Sequence, residues 1–328
     1  MAHLGGLVRI EPGDLGRRKV LSAAKDPMLR AIVEIIDENE AYWPLSVRQI
    51  HYRLLGSDAP LIHASKPDSR YVNDQRSYKA CVDVCARGRL EGVIRWESIA
   101  DETRPVTLSG AWSDRAEFFR SEIDSNLLQG YLRDKLQSQP DHIEIVAEKL
   151  TVKNILQPVA REFTMPLTIS RGVSALVVKK QISDRYRASG KGRLQLLVVT
   201  DLDPDGEKIA DDFVRSLHRD FGLPEHELVG SKVALTLEQV ARYGLEPSMD
   251  AKKTSSAYKG YVAKHATSHA YELEALEPAQ LVSILRVAIL ATLDVEAYDA
   301  EVADEKRDAI RIGALRSQAQ KFFAGVDL

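Results

Sequence analysis

The sequence predicts an α/β protein: an N-terminal winged-helix module, mostly α with a small β-wing, followed by an α/β domain with a mainly parallel sheet. Three observations carry this. Residues 196–199 are a continuous apolar run, and 143–147 a run broken only by Glu144; each is followed by acids and then a helical pattern, as strands buried on both faces of a parallel sheet would be. Residues 28–105 show helical periodicity three times, then a Gly-bounded turn and a short β-branched run. At 328 residues with 44% hydrophobic content, the chain can fill two cores.

In chain order, residues 1–27 carry Gly, Pro and basic residues without a period and read as an N-terminal arm. Leu29, Ile32, Val33 and Ile36 form the apolar stripe of a helix over 27–39. Ser46 with Gln49 three residues later is a capping-box signature, and Val47, Ile50 and Leu54 make the buried stripe of the helix that follows. A helix over 73–86 turns Tyr78, Cys81, Val82 and Cys85 inward. Gly88 to Gly92 is a turn, and 93–96 is a short wing strand. Helix, turn, helix and wing describe a winged helix over 28–105, a module that commonly binds DNA. Residues 106–139 form a helical connector, and 140–328 the second domain, closing in helices over 278–293 and 300–322.

The acids at the strand ends carry the chemistry. Asp201 and Asp203 are two apart, so extended backbone points both to one side, with Asp205 close behind. Pro204 stops the strand and Gly206 permits a tight exit. Helix capping alone would account for one Asp; three acids suit a hard divalent cation, Mg²⁺ or Mn²⁺. Glu148 ends the earlier strand in the same way, and neighbouring parallel strands would bring it beside Asp201. Glu272 and Glu274 are outer acids of that site or polar surface.

Local charge points to a polyanion. The net charge is −3, but residues 48–95 hold nine Lys or Arg against five Asp or Glu, a local +4. Arg53, Arg76, Lys79 and Arg87 in the first module, and Lys149, Lys252 and Lys253 in the second, are the candidate DNA contacts; a solvated charged face is the competing interpretation. Tyr52 falls off the buried stripe, beside Arg48. From this local pattern it reads either as a surface tyrosine or as a reactive group among cations. Cys81 and Cys85 read as reduced core thiols rather than a metal site. The N-terminal residues lack the charged and apolar regions of a signal peptide, and the apolar stretch 281–293 is too short to span a bilayer. The expectation is a cytoplasmic, nucleoid-associated protein with no membrane partner.

Glu148 with Asp201-x-Asp203-Pro-Asp-Gly206 resembles a Toprim domain, the metal-binding fold shared by topoisomerases, primases and some nucleases. The segment from Arg48 to Leu55, upstream of it, resembles the catalytic winged helix of the topoisomerase VI A subunit and the meiotic double-strand-break protein. Tyr52 matches the nucleophilic tyrosine, while His51 stands where the family usually has another aromatic. Ala86-Arg87-Gly88, Ile94, Trp96, Asp101-x-Thr-Arg104 and Glu148-Lys149 look most like the compact, free-standing Mini-A type proteins.

The resemblance implies a homodimer acting on duplex DNA by Mg²⁺-dependent tyrosine transesterification, giving a 5′-phosphotyrosyl link. One subunit's tyrosine would meet the other's metal site. Tyr52, Arg48 and Glu148 are the catalytic candidates, and Glu148, Asp201, Asp203 and Asp205 the metal candidates. No Gly-rich phosphate loop is present, so the sequence offers no ATP site and an ATPase B-type partner would be a separate chain. Two alternatives stand beside this: a Toprim nuclease that activates water with Tyr52 structural, and a non-catalytic DNA-binding dimer.

Overall fold

The structure, a computed structural model, describes residues 20–56, 58–100, 115–170 and 176–324. The expected Asp101-x-Thr-Arg104 feature and most of the N-terminal arm lie outside the described residues. Two compact units emerge among these described residues: one holds those up to Glu40 together with those of Ile50–Ile99, the other those of Ala41–Gln49 and those from Ala100 onward.

The first unit is helical. Helix α1 (Asp26–Glu38) buries Met28, Ile32, Ile35 and Ile36. Helix α2 (Val47–Arg53) opens on the expected capping box: the Ser46 N–H donates to Gln49 Oε1 at 2.7 Å and the Gln49 N–H to Ser46 Oγ at 3.1 Å. Its Ile50–Arg53 part lies in this unit. Helix α3 (Gln75–Leu90) starts at Asp74, which accepts the Ser77 N–H at 2.7 Å. It buries Cys81, Val84 and Cys85, while Val82, expected inward, is exposed. The wing strand over 93–96 is not formed. The N–H groups of Val93 and Ile94 donate to Gly88 O at the end of α3, at 3.0 and 3.1 Å, and residues Trp96–Ser98 form a 3-10 turn. A β-ladder needs those amides for a partner strand, and the helix end has taken them. Ile94 instead seats on Gly88, where a Cβ would crowd it.

In the second unit, helix α4 (Arg115–Ser121) runs into a π-helical turn, Glu122–Asn126. The following irregular stretch is tied down by Arg133, whose Nε donates to Glu301 at 2.6 Å. So 115–139, expected as a separate connector, belongs with the second unit. The sheet then builds from β1 (His142–Ala147), α5 (Lys153–Glu162), β2 (Leu167–Ile169), α6 (Leu176–Ser189), β3 (Leu194–Val199), α7 (Pro204–Arg219) and β4 (Leu228–Ala234). All pairings are parallel, in the order β2-β1-β3-β4. Helix α8 (Leu237–Tyr243), a two-residue ladder of β5 (Met249–Asp250) and β6 (His269–Ala270) around α9 (Tyr258–His265), then α10 (Pro278–Thr292) and α11 (Val295–Phe323) complete the unit. The sequence shows no apolar period over α9.

Alternate residues of the strands face two cores. Ile143, Ile145, Ala147, Leu197 and Val199 join α5 and α10 on one face; Val146, Leu194, Leu196 and Val198 join α6 and α7 on the other. Within the second core face lies the buried Glu144, which accepts two N–H bonds from Arg185 at 2.7 and 2.8 Å. Such a pair costs desolvation, which the bidentate geometry offsets. Among the described residues no helix is long and apolar enough to cross a membrane.

Glu207 of α7 ties three elements together, accepting from Lys232 of β4 and from Lys264 of α9 at 2.6 Å. Burial alone would raise its carboxyl, but the two ammonium groups outweigh burial and hold it at about 2. A depressed carboxylate stabilises the fold above its unfolded pKa and loses that contribution as pH falls through the folded value. Glu207→Gln is therefore expected to cost roughly 3 kcal/mol at neutral pH, the loss shrinking to nothing as pH falls toward about 2. Urea unfolding of both proteins across that range reads it directly.

Candidate active site

The chain enters the sheet at β1, moves outward to β2, then crosses back to β3 on the other side of β1. The carboxyl ends of β1 and β3 thus flank a topological switch point, where open α/β sheets bind ligands. Register pairs Ala147 with Val199, and the Glu148 N–H donates to Val199 O at 3.0 Å. One residue on, the Asp201 N–H points to Glu148 Oε2 at 3.4 Å. Glu148 and Asp201 are side by side, as the sequence required.

A third strand-like segment closes the site. Leu202 and Tyr271 exchange N–H···O bonds of 3.0 Å, so residues 271–274 cross the strand ends. This carries in Glu272 and Glu274, both buried. Lys149 answers them. Its ammonium lies 2.7 Å from Asp201 Oδ2, 2.9 Å from Glu274 Oε2 and 3.9 Å from Glu272 Oε2. Thr151 Oγ1 donates to the other Glu274 oxygen at 2.8 Å. Asp201 Oδ1 accepts the Leu273 N–H at 2.9 Å. Lys149, expected on DNA, is the internal counter-ion of the site. Burial works against its charge, yet Glu274, Asp201 and Glu272 together raise its pKa above the ordinary lysine value.

The three strand-end acids differ. Asp201 has both oxygens engaged; burial pushes it up to about 7, with Lys149 pulling down and Glu274 and Glu148 pushing up. Asp203 keeps extended backbone (φ −148°, ψ 171°) and caps α7, its Oδ1 accepting the Gly206 N–H at 2.6 Å. A Cβ on Gly206 would collide with the Asp201 carbonyl oxygen, so this exit needs glycine. Glu148 is raised first by burial and next by the charge of Asp203. Asp205 is turned toward the 247–258 segment, accepting from Ser255 Oγ at 2.8 Å, with Lys252 at 3.7 Å.

Among the described residues no three acidic, histidine or cysteine side chains converge as a ready metal cage. The donor set nonetheless suits magnesium, which commonly takes one or two carboxylates and completes its shell with water and phosphate oxygens. Glu148 and Asp203 fit that role: two oxygen donors whose mutual repulsion a cation would relieve. Asp201, with both oxygens occupied, organises the pair.

In the same unit, Arg48 Nε donates to Glu272 Oε2 at 2.6 Å, so Glu272 links Arg48 to the Lys149 cluster. Arg48, a candidate to stabilise phenolate charge, is held here by a carboxylate.

In the first unit, Tyr52 is half-buried rather than exposed. His51, buried, sits edge-on to Tyr52, Tyr71 and Tyr78 at ring separations of 5.0, 5.6 and 5.3 Å. Its Nε2–H donates to Asn73 Oδ1 at 3.2 Å, which leaves Nδ1 bare to accept the Tyr71 O–H at 2.6 Å. Arg76, Lys79, Lys252 and Lys253 are exposed; Arg87 pairs with Asp83 at 2.7 Å, and Arg53 is half-buried. No protein-family model, curated protein or solved structure matches this chain.

Two outcomes follow. Lys149→Met leaves buried carboxylates without their counter-ion and is expected to cost about 3 kcal/mol. The deficit should be largest above about pH 7, where Asp201 is ionised, and shrink as pH falls through that value and Asp201 gains a proton, in unfolding experiments against pH. Tyr71→Phe deprives the His51 Nδ1 of its donor in a buried site and should cost about 1–3 kcal/mol by the same measurement.

Proposed function

We propose that this protein cleaves duplex DNA by tyrosine transesterification, as a type IIB topoisomerase A-subunit-like enzyme with a helical tyrosine module and a Toprim-type acidic site. The observation that supports it most is the placement of Glu148 beside Asp201 and Asp203 at the switch point of the parallel sheet. The Tyr52 motif lies upstream of these acids in the order the resemblance requires.

The Tyr52 phenol oxygen attacks a backbone phosphorus. The phosphorus–O3′ bond breaks, the phenol proton is lost, and the departing 3′ oxygen gains one, leaving a 5′-phosphotyrosyl link that the reverse step can reseal. A phenol of pKa about 10 needs neighbouring positive charge to react at neutral pH. Glu148 and Asp203 would hold Mg²⁺ or Mn²⁺, which when bound neutralises the oxygens of the scissile phosphate. Asp201, fixed by Lys149 and the Leu273 N–H, keeps those carboxylates in register. Arg48 would serve the phosphate only by exchanging Glu272 for it. The enzyme would act as a homodimer, associated with the nucleoid, with any ATPase supplied by a separate chain.

A second reading, a hydrolytic nuclease in which Tyr52 is structural, is favoured by the packing of Tyr52 against His51. A covalent-adduct assay separates the two. Wild type incubated with labelled duplex and Mg²⁺ or Mn²⁺, then denatured, is expected to carry DNA on protein. Tyr52→Phe should abolish the adduct, and Asp201→Ala should abolish both adduct and cutting. Cutting that survives Tyr52→Phe would replace this proposal with the nuclease.

A further inference from the structure

Helix α7 leaves the acidic site at Asp203 and runs away from it for 16 residues. Ile209, Phe213 and Leu217 are buried in the core beneath the sheet. The outer side carries Lys208, Arg215 and Arg219, at i, i+7 and i+11, which a 100° helical step places on one stripe about 16 Å long. Alone, that stripe would be an ordinary solvated face. The surface beside it is concave, however. A cavity of about 770 Å³ between α7 and β4, the edge strand of the sheet, is lined by Arg215, Arg219, Lys232 of β4 and Lys264 of α9. A second, of about 390 Å³ between α7 and α9, shares Arg215 and Lys264 and adds Lys208 and Ser256. The two walls hold five Lys or Arg against the three acids Glu207, Asp211 and Glu225, an excess of two.

The trough also has a direction. Glu207, its innermost acid, is already bound by Lys232 and Lys264, and Lys232 also donates to the Asp201 carbonyl at 3.0 Å. Lys208 donates to Ser256 Oγ at 3.1 Å, which joins the stripe to the segment bearing Lys252 and Lys253. Cations from α7, β4 and α9 thus line one continuous path, linked through Lys232 to the Asp201 backbone of the acidic site.

We propose that this trough is the track of a DNA phosphodiester backbone running from the acidic site along α7, with Lys208, Arg215 and Arg219 as its phosphate contacts. The inference rests on the DNA reading above and goes beyond it, since none of these three residues was a candidate contact. Contacts of this kind position the duplex and carry no sequence preference.

The test is the salt dependence of binding. A labelled duplex is titrated with the full chain at several salt concentrations, for wild type and for Lys208→Ala/Arg215→Ala/Arg219→Ala combined. Each phosphate contact contributes about 0.9 to the slope of log affinity against log salt, so the triple variant should lose between about two and three from that slope. At low salt it should bind roughly 10- to 100-fold more weakly, equally for unrelated sequences. Asp211→Asn should tighten binding. An equal thermal midpoint confirms that the exposed changes leave the fold intact. A triple variant with the wild-type slope and affinity overturns the track, whatever the adduct assay gives; so does a wild type that binds no duplex. A lost slope in proteins that form no Tyr52-dependent adduct upholds the track and removes only the transesterase.

Discussion

The acidic site depends on one ion cluster. Two adjacent parallel strands end within a hydrogen bond of each other, and a crossing segment brings in two more acids. Glu148, Asp201, Glu272 and Glu274 are all largely removed from water around that point. Carboxylates in such a place must be protonated, paired or bound to a cation. Lys149 supplies one positive charge to three of them and fixes Asp201 against the Leu273 amide. Glu148, next to it in sequence, is left facing Asp203. Lys149 therefore commits Asp201 to the structure, while Glu148 is raised by burial and by the charge of Asp203. This division follows from geometry that residue identities alone do not contain.

The other end of the proposed chemistry rests on a histidine. Helix α2 has seven residues, too short to hold a side chain in place by its own hydrogen bonds. Within the first unit, orientation comes from His51. Asn73 and Tyr71 fix its tautomer, and its ring edge meets three tyrosines, Tyr52 among them. An apolar aromatic at position 51 would fill the same space but would leave the Tyr71 hydroxyl and the Asn73 carbonyl to find other partners. His51 is thus built into a polar network with Tyr71 and Asn73.

What the sequence revealed follows the range of the interactions involved. The strands ending in Glu148 and Asp201 are legible because strands buried on both faces are largely apolar, with Glu144, paired inside with Arg185, as the exception. The capping box at Ser46 and Gln49 was legible because its partners are three residues apart. The wing was misread because Val93 and Ile94 have strand-like side chains, while their amides close the end of α3, five and six residues back. Helix α9 escaped because it buries Tyr261 alone, which leaves no apolar period to detect. Lys149 was taken for a DNA contact because its partners lie 52, 123 and 125 residues ahead, and only the fold brings them within reach. Long-range charge pairing is the part of a site least visible in a chain read alone.

Helix α7 shows how these ranges combine in one element. Its first turn is set locally: Asp203 caps it, and Gly206 is required because any side chain there would strike the Asp201 carbonyl. One face is set by the sheet, which needs Ile209, Phe213 and Leu217 at helical spacing. Neither demand reaches the outer stripe, where stability is indifferent to residue type and Lys, Arg, Asp or Ser would serve equally. The cations along that stripe have partners of their own, Asp212 on Arg215 at 2.9 Å and Ser256 on Lys208 at 3.1 Å, and they converge with the Lys232 and Lys264 that hold Glu207. An excess of positive charge lining a concave path linked to an acidic site is what a polyanionic strand held there would need.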